Sequence, residues 1–270
     1  MGPTPAASGT AATRSDDTGP LLFARYAYPP NARGYCGPAD HRALLEYGAS
    51  RAVDPGLGQL ARGFTGAWPY YQLIAAATGI RDPFDRRIGE AYWVGSPLLD
   101  TVDLGSFGRS LEDRFRGPMG RAWGQLAEAI PAGGVAHHSF HVFCVYPWVG
   151  LLGTGVQGEK ALQVLDRCRI RWGQVVSVSG DQVVVGSRPL QWDGRQLALG
   201  RRRLETATRG AHGLAFVAEP APGDWVSLHW DWMCDRLEPR QLRHLIRYTA
   251  RTLHLTNKRL SRSGASLVLD

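Results

Sequence analysis

Lysine is nearly missing from this chain. Lys160 and Lys258 are the two in 270 residues, and arginine supplies the rest of the basic side chains behind a net charge of +7. A basic balance admits nucleic acid or an acidic partner. The arginines are scattered, however, apart from the run at 201–203 and the segment after Asn257, so nucleic acid is not an expected partner. Cysteine is scarce as well. Cys36, Cys144, Cys168 and Cys234 lie far apart, which excludes a disulfide framework. A reducing, cytoplasmic setting is expected, with each cysteine a core residue, a ligand or a nucleophile. Long apolar runs are also lacking. VFCVYPWVGLL from Val142 is too short to span a membrane, and Pro147 breaks it. Residues 1–20 have no apolar signal segment, and their small, polar composition predicts a disordered tail. GLGQLARG is no phosphate loop, because it has neither the lysine nor a preceding strand.

What is present is an ordinary globular composition, 44% hydrophobic, at a length that allows one large domain or two modest ones. Two periods divide it. Over 21–165 the pattern is helical: ADHRALLEYGA, WPYYQLIAAATGI, PFDRRIGEAYWVG, FGRSLEDRFRG and GEKALQVLD carry apolar residues at helical spacing, punctuated by Gly and Pro. From Cys168 the period becomes two. CRIRWGQVVSVSGDQVVV reads as a hairpin turning at Gly180-Asp181, and LQWDGRQLAL as a second turning at Asp193-Gly194. GLAFVA and GDWVSLHWDW read as further strands, and such short, closely spaced strands predict a small closed barrel. EPRQLRHLIRYTARTLHL then gives a closing helix with Leu242, Leu245, Ile246, Thr249 and Leu253 on one stripe. The expected class is α+β: a helical domain over 21–165, a small barrel plus helix over 166–256, and a flexible basic tail over 257–270.

The second half resembles the HypC/HupF family of small nickel–iron hydrogenase assembly chaperones. Cys168, Ile170, Gly173 and Val175 match the family's C-x-I-P-G-x-V opening. Gly223-Asp224-Trp225-Val226-Ser227-Leu228-His229 is similar to its G-D-[YW]-V-L-V-H strand, with a helix following in both. The resemblance implies an OB-like barrel and a role in nickel–iron hydrogenase maturation. The cargo it implies is a transient iron unit carrying cyanide and carbon monoxide. The implied partners are a hydrogenase large-subunit precursor or a HypD-type assembly scaffold. The family's iron-binding and partner-binding roles fall on Cys168 and His229. This chain differs in three respects: 167 residues precede the cysteine, Arg171-Trp172 stands in place of the motif's proline, and the segment between the motifs is expanded by the LQWDGRQLALGRRRLE hairpin.

A thiolate rather than a thiol binds a soft metal, and Arg167, Arg169 and Arg171 are placed to favour the charged form of Cys168. Strand alternation, on the other hand, sets Cys168 on the face of Ile170 and Trp172, away from them. His229 falls on the polar face of its strand, where Asp231 is positioned to orient the ring. A second constellation is GVAHHSFHVFCVYPW. On a helix, His137, His141 and Cys144 share a face, and His138 pairs with His141. Zinc or iron can use such a face with one further ligand, although the glutamate of H-E-x-x-H is absent. Cys36, five residues before His41, suits a thiol nucleophile with its base, or a turn that starts a helix with Asp40 at its head. Two rivals to the chaperone stand beside it: a metal-dependent enzyme built on His137, His138 and His141, and an interaction module without chemistry.

Overall fold

Aspartates start several helices. Asp54 Oδ1 accepts from the amides of Gly56 and Leu57, and Asp103 and Asp85 do the same for their helices. The computed structural model describes residues 18–50 and 53–266. Ten α-helices lie among the described residues: α1 (Gly19–Ala32), α2 (His41–Ser50), α3 (Pro55–Arg62), α4 (Trp68–Thr78), α5 (Arg86–Trp93), α6 (Leu104–Met119), α7 (Trp123–Ala129), α8 (His138–Phe140), α9 (Val156–Cys168) and α10 (Pro239–Ser266). Helix α1 shows no apolar period because it is buried almost all round, from Leu21 to Asn31. It is the axis of the helical half.

The strands are β1 (Arg171–Ser179), β2 (Gln182–Ser187), β3 (Leu190–Trp192), β4 (Leu197–Leu199), β5 (Arg203–Thr208), β6 (Gly210–Ala211), β7 (Leu214–Ala215), β8 (Trp225–His229) and β9 (Trp232–Arg236). Five of them form a sheet that closes on itself in the order β1-β2-β5-β9-β8. The last join is a single parallel pair, Thr208 with Trp232. Both expected hairpins form, with Gly180 at φ +54 and Gly194 at φ +95 in their turns. GDWVSLHWDW is not one strand. It turns back at Trp230-Asp231, so His229 ends β8 and pairs with Trp232. GLAFVA contributes the two residues of β7, whereas the closing strand is RLETAT, where Ala207 alone is buried and no alternation marks it.

The α+β class is the one expected, and four expectations about its limits need correction. Cys168 does not begin a strand; it is the last residue of α9. The seam at 165/166 therefore falls inside a helix, and one hydrophobic core runs from Leu21 to Leu255 through both halves. The tail from 257 is helical to Ser266, with 267–270 outside the described residues. Asn257 fixes it by bonding both the amide and the carbonyl of Leu197 in β4, at 2.8 and 2.9 Å. Of the expected disordered tail, 1–17 lie outside the described residues, while Gly19 and Pro20 begin α1. On α10, Ile246 is exposed, and Tyr248 and Thr252 take the buried stripe instead.

Candidate metal centre

Arg171 is the staple that joins α9 to the β8–β9 turn. Its guanidinium donates to the carbonyls of Asp166 and Arg167, which the end of α9 leaves without helical partners. It also donates to Trp230 O, and Trp230 N donates to Arg167 O at 2.7 Å. Glu205 of β5 balances its charge, pairing with Arg171 at 3.1 Å and Arg167 at 2.7 Å. Arg169 is turned to Asp166 at 2.8 Å. The three arginines beside Cys168 thus hold the backbone together and do not activate the thiol. Burial, followed by the nearby Cys36, pushes the Cys168 thiol well above the usual cysteine range.

The staple brings the last residue of α9 against the last residue of β8. Into the same place comes His138, the first residue of α8. One ring nitrogen of His138, Cys168 Sγ and one ring nitrogen of His229 all lie within 4.8 Å of one another. A filled tetrahedral site has ligand–ligand edges of about 3.5 Å, given metal–nitrogen and metal–sulfur bonds of about 2.1 and 2.3 Å. The ring of Trp93 lies 4.7 Å from His138 and 5.9 Å from His229, and it is fixed in turn by donating to Tyr71 Oη at 2.6 Å.

Each imidazole holds a backbone carbonyl with one of its ring nitrogens. His229 Nδ1 lies 2.6 Å from Tyr26 O, and His138 Nε2 lies 2.9 Å from Cys168 O. A carbonyl only accepts, so these nitrogens carry the protons, leaving lone pairs on His229 Nε2 and His138 Nδ1. His229 Nε2 is buried and makes no well-formed hydrogen bond among the described residues, with the Cys168 backbone also acting on the ring. His138 Nδ1 has a long contact to Tyr92 Oη, 3.4 Å. Burial lowers the pKa of His138 to about 4 and that of His229 well below the usual histidine range, so both rings are neutral at pH 7. A backbone carbonyl on one ring nitrogen fixes the tautomer of an imidazole, as it does for many metal-ligating histidines.

A cavity of about 130 Å³ lies against this trio. His138, Cys168 and His229 line its inner end, and the exposed Tyr35 and Pro147 line its rim. The space exceeds several times what one water needs. Cys36 and His141 line it too, with His141 Nδ1 3.1 Å from Tyr70 Oη.

Other expected site residues go elsewhere. Asp231 does not orient His229; it is exposed and pairs with Arg33 at 2.6 Å. His137, His141 and Cys144 do not share a face, because α8 is one turn long and 141–145 continue as a π-helix. His137 caps α8, its Nδ1 accepting from Ser139 N, and stacks on Tyr248 at 5.2 Å. Cys144 is buried against α10 at Thr256 and Arg259. His41 opens α2 in an exposed position and does not line the cavity with Cys36. Asp40 heads that helix as expected, accepting from Ala43 N. Missed from the sequence was the company of His138: nothing local signals a ligand set drawn from α8, α9 and β8.

Fold and site together define an α+β protein with a buried His–Cys–His set that could hold a metal ion. The chain belongs to the Family of unknown function (DUF6390), which matches residues 15–263. No curated protein and no solved structure matches it.

Proposed function

We propose that this protein handles a single iron centre during the assembly of a nickel–iron hydrogenase, holding it on Cys168, His229 and His138. The observation that carries the proposal is the convergence of Cys168 and His229. The resemblance to the HypC/HupF family singled out these two residues, and they lie in one ligand-sized cluster despite belonging to α9 and β8. The HypC-like, OB-like barrel is part of the same proposal, supported by the closed five-stranded sheet. A cavity of about 130 Å³ beside the trio leaves room for small diatomic ligands on a bound metal. A His₂Cys set suits iron and zinc alike, so the ligands alone do not choose between them.

In this proposal His138, drawn from the helical half, replaces a ligand that a shorter chaperone would take from its partner. The large-subunit precursor or a HypD-type scaffold is the proposed partner. The test is infrared spectroscopy of protein purified without oxygen from cells making the hydrogenase. Bands of iron-bound cyanide and carbon monoxide are expected, and they should vanish in Cys168→Ala. Stoichiometric zinc without such bands would instead support the second reading, a metal-dependent enzyme with an open fourth position on the same trio. The residues that favour that reading are His138 and His141, both of which line the cavity.

A further inference from the structure

The cavity that ends on the ligand trio carries a second thiol toward its rim. Cys36 lines the same cavity as Cys168, His138 and His229. It is half-buried, whereas Cys168 is 7% exposed and His229 0%. Its neighbour Tyr35 is 45% exposed. Cys36 falls outside the set of atoms within 4.8 Å, so at rest it is not a fourth member of the trio.

The loop that bears it is held over the cavity. Asn31, buried at the end of α1, donates from Nδ2 to the carbonyls of Cys36 and Pro38, at 2.7 and 2.6 Å. Gly37 takes φ +82, and a Cβ there would stand 2.3 Å from the ring of Phe64. That position accepts only glycine. At the far end the buried Nε2 of His229 makes no well-formed hydrogen bond among the described residues.

The walls of the cavity include Phe64, Trp93 and Trp148. A metal ion stripped of water in such a passage pays a large desolvation cost unless a ligand travels with it or waits along the way. We infer that Cys36 is the capture ligand of the centre: it takes a soft divalent metal ion at the rim and passes it inward to Cys168 by ligand exchange. The inference rests on the trio being a metal centre. In the exchange the metal–Cys36 sulfur bond breaks as the metal–Cys168 sulfur bond forms. Burial pushes the Cys36 thiol up to about 12, so on capture it gives its proton to water at the rim; in the exchange Cys168 loses its proton and Cys36 regains one, with no net oxidation. His229 Nε2 and His138 complete the inner set with their lone pairs.

The experiment is uptake of Co²⁺ by the full chain under reducing, oxygen-free conditions, followed by stopped-flow absorption of the sulfur-to-cobalt charge-transfer band. Wild type should reach about one Co²⁺ per chain. Cys36→Ser should reach the same end point about ten-fold more slowly or worse. Cys36→His, which restores a metal-binding side chain, should recover much of the rate; a purely structural role for Cys36 would not allow that. Cys168→Ser should keep the early phase but release its Co²⁺ quickly to a chelator. Loading of Cys36→Ser at the wild-type rate would overturn the inference and leave the metal centre standing. A wild-type chain that takes up no Co²⁺ would reject both.

Discussion

At the residue scale, the contrast between His229 and Asp231 decides what the strand motif means. The two are neighbours in sequence and look like a ligand with its orienting carboxylate. The turn at Trp230, which takes φ +54, separates them. His229 goes inward onto Tyr26 O, and Asp231 goes outward onto Arg33. Removing a residue that orients a ligand costs about 10–100-fold in metal affinity. Asp231→Asn should therefore leave metal affinity within about twofold, while His229→Ala should lower it by about 100-fold or more; competition against a chelator measures both. Cys168 and His229 were legible because each sits in a sequence pattern. His138 was legible only as one of a histidine cluster: its pairing with His141 fits the cavity that both line, whereas helical spacing wrongly put His137, His141 and Cys144 on one face. The arginines were misleading for a related reason. Arg171 and Arg167 find Glu205 on a strand that sequence patterning does not reveal.

At the element scale, the junction of α9, β1 and the β8–β9 turn sets the geometry of the site. Arg171 is 1% exposed, and its charge is matched by Glu205. Burial would raise the Glu205 carboxyl, but Arg171, the Ser187 hydroxyl and Arg167 outweigh it and hold the pKa below the usual glutamate value. A carboxyl lowered by folding stabilises the fold above its unfolded pKa of about 4.3, and that stability is lost as pH falls through the folded value. Glu205→Gln should cost about 3–5 kcal/mol at pH 7, because it leaves Arg171 buried and uncompensated. Urea unfolding at stepped pH checks this: the gap between variant and wild type should shrink below about pH 4. Much of this architecture was readable beforehand. Six helices carried an amphipathic period, and both hairpins carried Gly turns. Helix α1 and strand β5 were not readable, the first because it is buried on nearly every side and the second because Ala207 is its one buried residue.

At the scale of the whole molecule, the helical half and the strand half are one body chemically as well as structurally. The Tyr26 hydroxyl of α1 bonds Ser227 Oγ of β8 at 2.7 Å inside the shared core. Helix α10 packs against α7, α8 and β4, and Tyr248 donates to Ser96 O at 2.8 Å. A change of period along a sequence marks a change of secondary structure, which need not be a domain boundary. The chain should unfold in one cooperative transition by calorimetry, with equal calorimetric and van't Hoff enthalpies. Residues 166–256 produced alone should not unfold cooperatively, since His138 and the α1 contacts would be missing; two separated transitions in the full chain would contradict this. Among the described residues no helix is long and apolar enough to cross a membrane.

The most direct measurement is X-ray absorption at the metal edge of the full chain, purified without oxygen or loaded with one equivalent of metal. The expected spectrum has one sulfur and two imidazole nitrogens around the metal, at about 2.3 and 2.1 Å. The sulfur should be lost in Cys168→Ser, and one nitrogen each in His138→Ala and His229→Ala. A chain that binds no metal, or binds it with a shell lacking sulfur, would contradict the centre on which the proposed function stands.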